Sequence, residues 1–412
     1  MKMKKTLFKL FALALVLTFG NACNDALVTE DLEENLELKS ANTAKKGYIV
    51  VLQDADIDLE LSSLKGYEKK QLAMKAATGK ILKRAGISDA EVGHVFGSAL
   101  KGFSVKIAPG QLKKLQDDPS VKYIEEDRII SLGLPDIEAK KGKPGGGGTT
   151  SPAQQTPWGI SRVNGITNYT GTKKAWVVDS GVDLDHPDLN VNTSLSRSFI
   201  IGGKTTTPDD ENGHGSHVAG TIAAKNNSIG VIGVAPGAQV VSCRVLDRRG
   251  SGSFSWTVAA LDYIATDGVG TAGDVVNMSL GPSSRYIDSS VDAAVQAVAA
   301  KGIKLSIAAG NESDDCFYYS PAHNNGPNIY TVSAMWESDR FATEFSNFGS
   351  PVDYAAPGVY ILSTYKNGGY ETLHGTSMAA PHVAGILLLG NVSTDGHVTS
   401  DPDGNPDPIA VH

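Results

Sequence analysis

Four short apolar runs most constrain what this chain can fold into. KAWVVD (174–179), QVVSCRVL (239–246), DVVNMSL (274–280) and IKLSIAAG (303–310) are hydrophobic at most positions, so strands built from them need cover on both faces. The stretches between, SGSFSWTVAALDYIAT (251–266) and SSVDAAVQAVAAKG (289–302), have helical length and periodicity. Strand alternating with helix predicts an α/β domain on a doubly wound parallel sheet, with functional residues gathered at the carboxyl ends of the strands.

A smaller unit precedes it over residues 47–133. GYIVVLQ (47–53) is strand-like, KGYEKKQLAMKAATGKILKRAG (65–86) is helical, and EVGHVFGSALKGFSVKI (91–107) holds two more strands. In PGQLKKLQDDPSVKYIEED (109–127), Pro109 and Pro119 bracket a short helix before a last strand, giving a β-α-β-β-α-β, ferredoxin-like α+β order. Residues 134–152 change abruptly to a linker with four consecutive glycines, flexible and open to proteolysis.

The chain starts with Lys2, Lys4, Lys5 and Lys9 ahead of an apolar stretch from Leu10 to Phe19. That pattern predicts a signal peptide over residues 1–22 and export to the extracellular space or the cell envelope, the stretch being short for a membrane span. Gly20 and Ala22 suit ordinary cleavage, whereas Cys23 at the new terminus suits a lipoprotein; both remain open, and lipidation of Cys23 would be the one route to a membrane. An acidic tether (23–46) follows. Cys243 and Cys316 are the other two cysteines, so no disulfide framework holds the fold, and they either pair or stand as separate buried thiols. A net charge of −8 argues against nucleic acid as a partner.

Three segments carry reactive side chains among glycines at element boundaries: VVDSGVDLDHPDL with Asp179 closing a strand, NGHGSHVAGTIAA with His214 opening a helix, and HGTSMAAPHVAGILLL with Ser377 near a helix start. A serine hydroxyl is a weak nucleophile and needs a base whose tautomer a carboxylate fixes. The order Asp, His, Ser differs from the chymotrypsin and α/β-hydrolase orders. His214 and His217 lack the H-E-x-x-H context of a metal site, His382 reads as a core histidine, and Asp183 and Asp185 as loop-capping carboxylates.

DSGVDLDHPDL, HGSHVAGT and GTSMAAPHVAG resemble the three signature segments of the subtilisin-like serine proteases, over residues 153 to about 390, and 47–133 resembles the family's inhibitor-type propeptide. The resemblance implies a self-processing serine endopeptidase with Ser377 as nucleophile, His214 as general base and acid, Asp179 as the orienting carboxylate, and Asn311 as oxyanion donor beside the Ser377 N–H. It implies protein and peptide substrates, with the propeptide as an intramolecular inhibitor. Ser279, Leu280 and Gly281 would pair with an extended substrate. Ala308, Ala309 and Gly310 would wall a primary pocket roomy enough for a large apolar residue, and residues 250–256 would form a more distant apolar pocket. Gln154, Asp188, Lys225, Asn227, Ile229 and Val231 would supply oxygens to a structural calcium ion. The long linker puts processing between Leu132 and Pro152, with a final N-terminus between Gly148 and Ala153 after an earlier first cut. The domain runs on to His412 in a polar, Asp- and Pro-rich tail, either irregular strands or disordered. A catalytically silent binding module on the same fold and an esterase are the competing functions.

Overall fold

The computed structural model describes residues 44–53, 61, 63–135, 152–202 and 206–412. The signal peptide, Cys23 and most of the tether and linker lie outside them. Propeptide strands β1 (Lys46–Leu52), β2 (Glu91–Phe96), β3 (Gly102–Ile107) and β4 (Val121–Glu126) form an antiparallel sheet in the order β2-β3-β1-β4, with helices α1 (Tyr67–Arg84) and α2 (Leu112–Gln116). The near-continuous apolar character of β1 has a physical cause. Val50 and Leu52 pack with Met74, Ile81 and Leu115 in the propeptide's own core, whereas Ile49 and Val51 join the core of the following domain. The sheet is therefore covered on both faces, one of them by the rest of the chain.

A short strand β5 (Ile129–Ser131) leads out of this unit, and helix α3 (Trp158–Arg162) opens the next. The large domain contains β6 (Lys174–Asp179), β7 (Asn190–Val191), β8 (Arg197–Ser198), α4 (His214–Ala223), β9 (Gln239–Arg244), β10 (Ser251–Ser253), α5 (Phe254–Ile264), β11 (Val275–Met278), α6 (Ser289–Ala300) and β12 (Lys304–Ala308). β13 (Ile329–Met335), β14 (Val352–Pro357), β15 (Ile361–Tyr365), β16 (Gly369–Leu373), α7 (Thr376–Leu389), β17 (Ser393–His397) and β18 (Pro408–Val411) complete it. Its main sheet runs β17-β18-β14-β13-β12-β11-β6-β9-β7, parallel except for the β17–β18 pair. All four apolar runs are strands, as predicted.

Alternation along the strands divides two cores. Trp176 and Val178 face Phe254, Val258 and Val291 from α5 and α6, while Ala175 and Val177 face Val218, Ile222, Met378 and Val383 from α4 and α7. Each fully buried large apolar side chain of this kind stabilises the fold by about 1.5–3 kcal/mol.

The tail is ordered. Val398 and Ile409 pack with Met335, Phe341 and Ala355, β18 adds to the sheet edge beside β14, and Arg162 bonds Asp339 (2.8 Å) and Asp395 (3.2 Å). Of the two alternatives for the tail, strands are the outcome, because enough apolar residues lie among the polar ones to cover that edge. Cys243 and Cys316 are separate, free and buried; burial pushes both thiols above the usual range.

Candidate active site

The parallel sheet delivers the chemistry to one edge. Asp179 is the last residue of β6 and fully buried. Its Oδ1 and Oδ2 lie 2.8 and 3.0 Å from Nδ1 of His214, the first residue of α4. The Ser180 N–H donates to Oδ1 at 2.6 Å, leaving the carboxylate oriented by its own strand end. His214 Nε2 is buried with no hydrogen-bond partner.

Ser377 is the second residue of α7, where the partial positive end of the helix favours developing negative charge. Its hydroxyl donates to Ser279 O at 3.4 Å. Pro381 sits one turn further along and lacks the N–H that would bond the Ser377 carbonyl. The Ser279 hydroxyl donates to that carbonyl instead, at 2.9 Å, tying the helix start to the end of β11. The Ser–His contact is open in this state, as is common before a reacting complex tightens.

The cleft is filled by the chain itself. β5 pairs antiparallel with β10, Ser131 opposite Ser251 and Ile129 opposite Ser253. On the other side the Ser131 N–H donates to Gly281 O at 3.0 Å, and the Leu132 N–H to Gly250 O at 3.2 Å. Ile130 is fully buried near Phe254 and Leu280. The Gly133 carbonyl then accepts from Asn311 Nδ2 at 3.1 Å, and Pro135 reaches the neighbourhood of Gly375. Gly133 has φ +53°, a left-handed conformation that glycine adopts without a Cβ clash. Thr376 N and Oγ1 donate to Asn311 Oδ1 at 2.9 and 3.0 Å, turning the amide N–H toward Gly133.

Of the expected peptide-pairing edge, Leu280 and Gly281 line the cleft, Gly281 bridges to Ser131 of β5, and Ser279 is buried behind them; the longer pairing comes from β10, inside the segment read as a distant pocket. Ala308, Ala309 and Gly310 do line the space beside Gly133, together with Tyr319, Pro321 and Ala322. That space is about 30 Å³, room for a couple of water molecules. Ser131, Leu132 and Gly133 form part of its wall, as do Pro321 and Tyr319, whose hydroxyl is held to Asp314 (2.9 Å).

Carboxylates pin the propeptide to two helix N-termini, where the dipole favours them. Asp127 accepts from Ser255 N (2.9 Å) and Oγ (2.6 Å) at α5; Glu125 accepts from Ser289 N, Ser290 N and Ser290 Oγ (3.0, 3.0 and 2.7 Å) at α6. In the opposite sense, Asp262 on α5 accepts from the Gly97, Ser98 and Ala99 N–H groups (2.9, 2.6 and 2.8 Å). Residue types alone do not reveal these three contacts, since EED ending a strand looks like ordinary surface charge and Asp262 lies inside an apolar helix.

These contacts are linked to pH. Burial, and then the charges of Glu125, Asp292 and Asp127, push the α6 cap Asp288 up to about 8. Burial pushes Asp262 up to about 6 and pushes His94, bonded to Phe199 O, down to about 4. A raised carboxyl favours docking at low pH, and a depressed histidine opposes it there. Below the histidine's ordinary 6.5 the two act in opposite directions; above it Asp288 remains, and docking weakens until pH passes about 8. Glu125 and Asp127 are the charges in that shift that leave with the propeptide, so release of the cleaved propeptide is expected to be more favourable at pH 9 than at pH 6.5, measured by gel filtration of the cut complex. Equal retention at both values would remove Asp288 from the account.

The six residues expected around calcium meet at one loop. Gln154 donates to Lys225 O (3.0 Å), Asn227 to Asp188 Oδ1 (2.8 Å) and Val231 N to Asp188 Oδ2 (3.0 Å), with Ile229 N on Asn227 Oδ1 (2.8 Å). Bridges Ala153–Ile229 and Gln155–Val231 hold the start of the domain against this loop. Burial pushes the fully buried Asp188 carboxyl up, partly offset by these donors. His217 is no ligand: its Nε2 bonds Ile361 O (2.9 Å) and burial pushes it down to about 3. His382 bonds Met378 O (2.8 Å) as a core residue.

Comparison with known proteins agrees with this architecture. The Subtilase family model matches residues 175–391 and the Peptidase inhibitor I9 model residues 47–133. Subtilisin NAT of Bacillus subtilis subsp. natto is 40% identical over 289 residues, covering 68% of this chain and 67% of that protein. The Subtilisin-like serine protease AsES of Sarocladium strictum is 34% identical over 349 residues, covering 77% and 82%. For the Alkaline serine exoprotease A of Vibrio alginolyticus the values are 37% over 319 residues, 74% and 54%. A solved structure of a cold adapted subtilisin-like serine proteinase matches with a TM-score of 0.51 at 32% identity, covering 61% of this chain and 96% of that one. With its parallel sheet and its I9-type unit docked on α5 and α6, the chain belongs to the subtilase family of serine endopeptidases.

Proposed function

We propose that this enzyme is an exported zymogen that cuts itself first at the Gly133–Leu134 bond and then hydrolyses other proteins through Asp179, His214 and Ser377. The observation that carries the reading is the placement of the Gly133 carbonyl on Asn311, with residues 129–132 paired along the cleft. Ser377 Oγ attacks the Gly133 carbonyl carbon as its proton passes to His214 Nε2. Asp179 holds the imidazole by Nδ1 and stabilises its charge. The oxyanion is met by Asn311 Nδ2 and the Ser377 N–H. Collapse gives the proton to the Leu134 nitrogen and leaves an acyl-enzyme, which water hydrolyses by the same route in reverse. The propeptide then remains as an inhibitor until degraded, and later trimming sets the N-terminus between Gly148 and Ala153.

Intact mass and N-terminal sequencing of the signal-free chain test this. Wild type is expected to release a fragment ending at Gly133 and to digest casein; Ser377→Ala is expected to stay whole. A wild type that stays whole and inert with calcium present would favour the silent binding module.

Calcium at the 225–231 loop fits the donor set, since the fully buried Asp188 carboxyl, Gln154 and Asn227 are gathered against the carbonyl-bearing loop 225–231. Gln154, Asp188 and Asn227 would bind through side-chain oxygens, and Lys225, Ile229 and Val231 through carbonyls. A bound ion would tie the domain's first residues to the loop. Calcium at a hundredfold excess over Kd stabilises by about 2.7 kcal/mol, so chelation should lower the Tm of the mature enzyme by about 5–10 °C. An unchanged Tm would count against the ion. Export rests on residues 1–22 and possible anchoring on Cys23, to be read from the mass of the cell-derived protein; among the described residues no helix is long and apolar enough to cross a membrane.

A further inference from the structure

The loop that carries Asn311 leaves the sheet at the end of β12 and has no strand to pair with. Its backbone groups must find partners elsewhere, and one side chain supplies three of them. Asn347, fully buried in the connection between β13 and β14, accepts from Glu312 N (2.9 Å) and Asp314 N (3.0 Å) through Oδ1. Through Nδ2 it donates to Ala309 O (3.1 Å) and Glu312 Oε2 (2.9 Å). Its own N–H donates to Gly310 O at 3.0 Å. The amide has thus spent both donors and two acceptor sites on residues 309–314, which flank Asn311 on each side. Glu312 extends the clamp, because the same Oε2 accepts the Asn311 N–H at 2.9 Å.

The fit leaves no slack. Gly310 has φ +108°, and a Cβ there would run into Asn347 Nδ2 and Glu312 Oε2. On its other side the Asn311 amide is held by Thr376 through Oδ1, with Nδ2 left for the Gly133 carbonyl. The direction of Asn311 Nδ2 toward the reacting carbonyl is therefore set by two grips, Thr376 on the side chain and Asn347 on the backbone.

We infer that Asn347 is a positioning residue for the oxyanion donor, holding the 309–314 loop so that Asn311 meets the oxygen of the tetrahedral intermediate. This rests on the reading of Asn311 as that donor. Asn347 touches neither substrate nor the reacting atoms. A preorganised donor works only when its geometry is set before charge develops, and a displacement of about 1 Å costs on the order of 10²-fold in rate. Losing Asn347 should therefore act on turnover more than on binding, since the β10 pairing is remote from this loop and, Asn311 apart, the loop touches substrate through the pocket wall at Ala309 and Gly310.

The test is a double-mutant cycle on enzyme matured by a trace of tagged wild type that is then removed, with active sites counted by acylation burst and a Ile-Ser-Leu-Gly anilide as substrate. Asn347→Ala is expected to lower kcat by about 10- to 100-fold, with KM changed less than about threefold. In the Asn311→Ala background the same substitution is expected to lower kcat by less than about threefold, because the group being aimed is already gone. Equal losses in both backgrounds would make Asn347 merely structural and overturn the inference, as would an unchanged kcat in the single variant. Asn311→Ala with wild-type kcat would instead remove the donor reading itself, and this inference with it. Where Asn347→Ala does not accumulate as folded protein, Asn347→Ser, which keeps a hydrogen-bonding hydroxyl, goes through the same cycle.

Discussion

Ser377→Ala, matured in trans, is expected to lower turnover of a peptide amide by about 10⁶-fold, the scale on which removing the nucleophile costs as much as removing a whole triad in subtilisin. The reason lies in the site's division of labour. Asn311, the Ser377 N–H and the β10 edge survive the substitution and still hold and polarise the scissile carbonyl. What disappears is the covalent route, so residual activity reflects water attack on an oriented bond, roughly 10³–10⁴ above solution. KM should change little, because Ser377 Oγ contributes only a 3.4 Å contact to Ser279 O and none of the strand pairing. Steady-state kinetics on a purified sample free of wild type is the measurement. A loss of only a few-fold would mean that another group supplies the nucleophile.

Asp179→Asn is the second large effect, expected at about 10⁴-fold in kcat at neutral pH. The isosteric amide keeps the packing at the end of β6 but cannot serve the same hydrogen bonds. Asp179 accepts from both His214 Nδ1 and Ser180 N. An asparagine that turns its NH2 toward Nδ1 selects the tautomer with the proton on Nε2, which cannot take a proton from Ser377. Turnover should recover partly at high pH, where hydroxide replaces the missing base, whereas Ser377→Ala should not show that recovery through acylation. A pH–rate profile of the two variants separates them, and a neutral-pH loss below about tenfold for Asp179→Asn would leave the carboxylate without the orienting role.

Much of the fold was legible because its signals are local. KAWVVD and DVVNMSL announce strands covered on both faces, and SSVDAAVQAVAA announces an amphipathic helix; those properties need no knowledge of the partner. The candidate triad was legible for a related reason. Asp179, His214 and Ser377 each sit at an element boundary that the flanking glycines and apolar runs mark, and a parallel sheet brings such boundaries to one edge. The four-residue glycine run likewise marked the end of the small unit before any strand order was known.

Other features depend on residues distant in sequence and became visible only in three dimensions. Tyr319 joins Ala308 to Gly310 in lining the space beside Gly133, and nothing beside Tyr319 in the sequence points there. Glu125 and Asp127 become caps of α6 and α5 only because the propeptide sheet docks with its Ile49 and Val51 face on those helices. Asn347 gathers the oxyanion loop from the far side of a strand.

The sequence by itself determined the elements, their order and the residue types able to do acyl transfer, because backbone hydrogen bonding and side-chain periodicity are set by near neighbours. The tertiary structure alone decided that Gly133 meets Asn311, that Tyr319 and Pro321 line the space beside it, that Cys243 and Cys316 stay apart, and that the polar tail ends as strands beside β14. Each of those outcomes turns on a distance between groups far apart in the chain, and such distances exist only once both cores have packed.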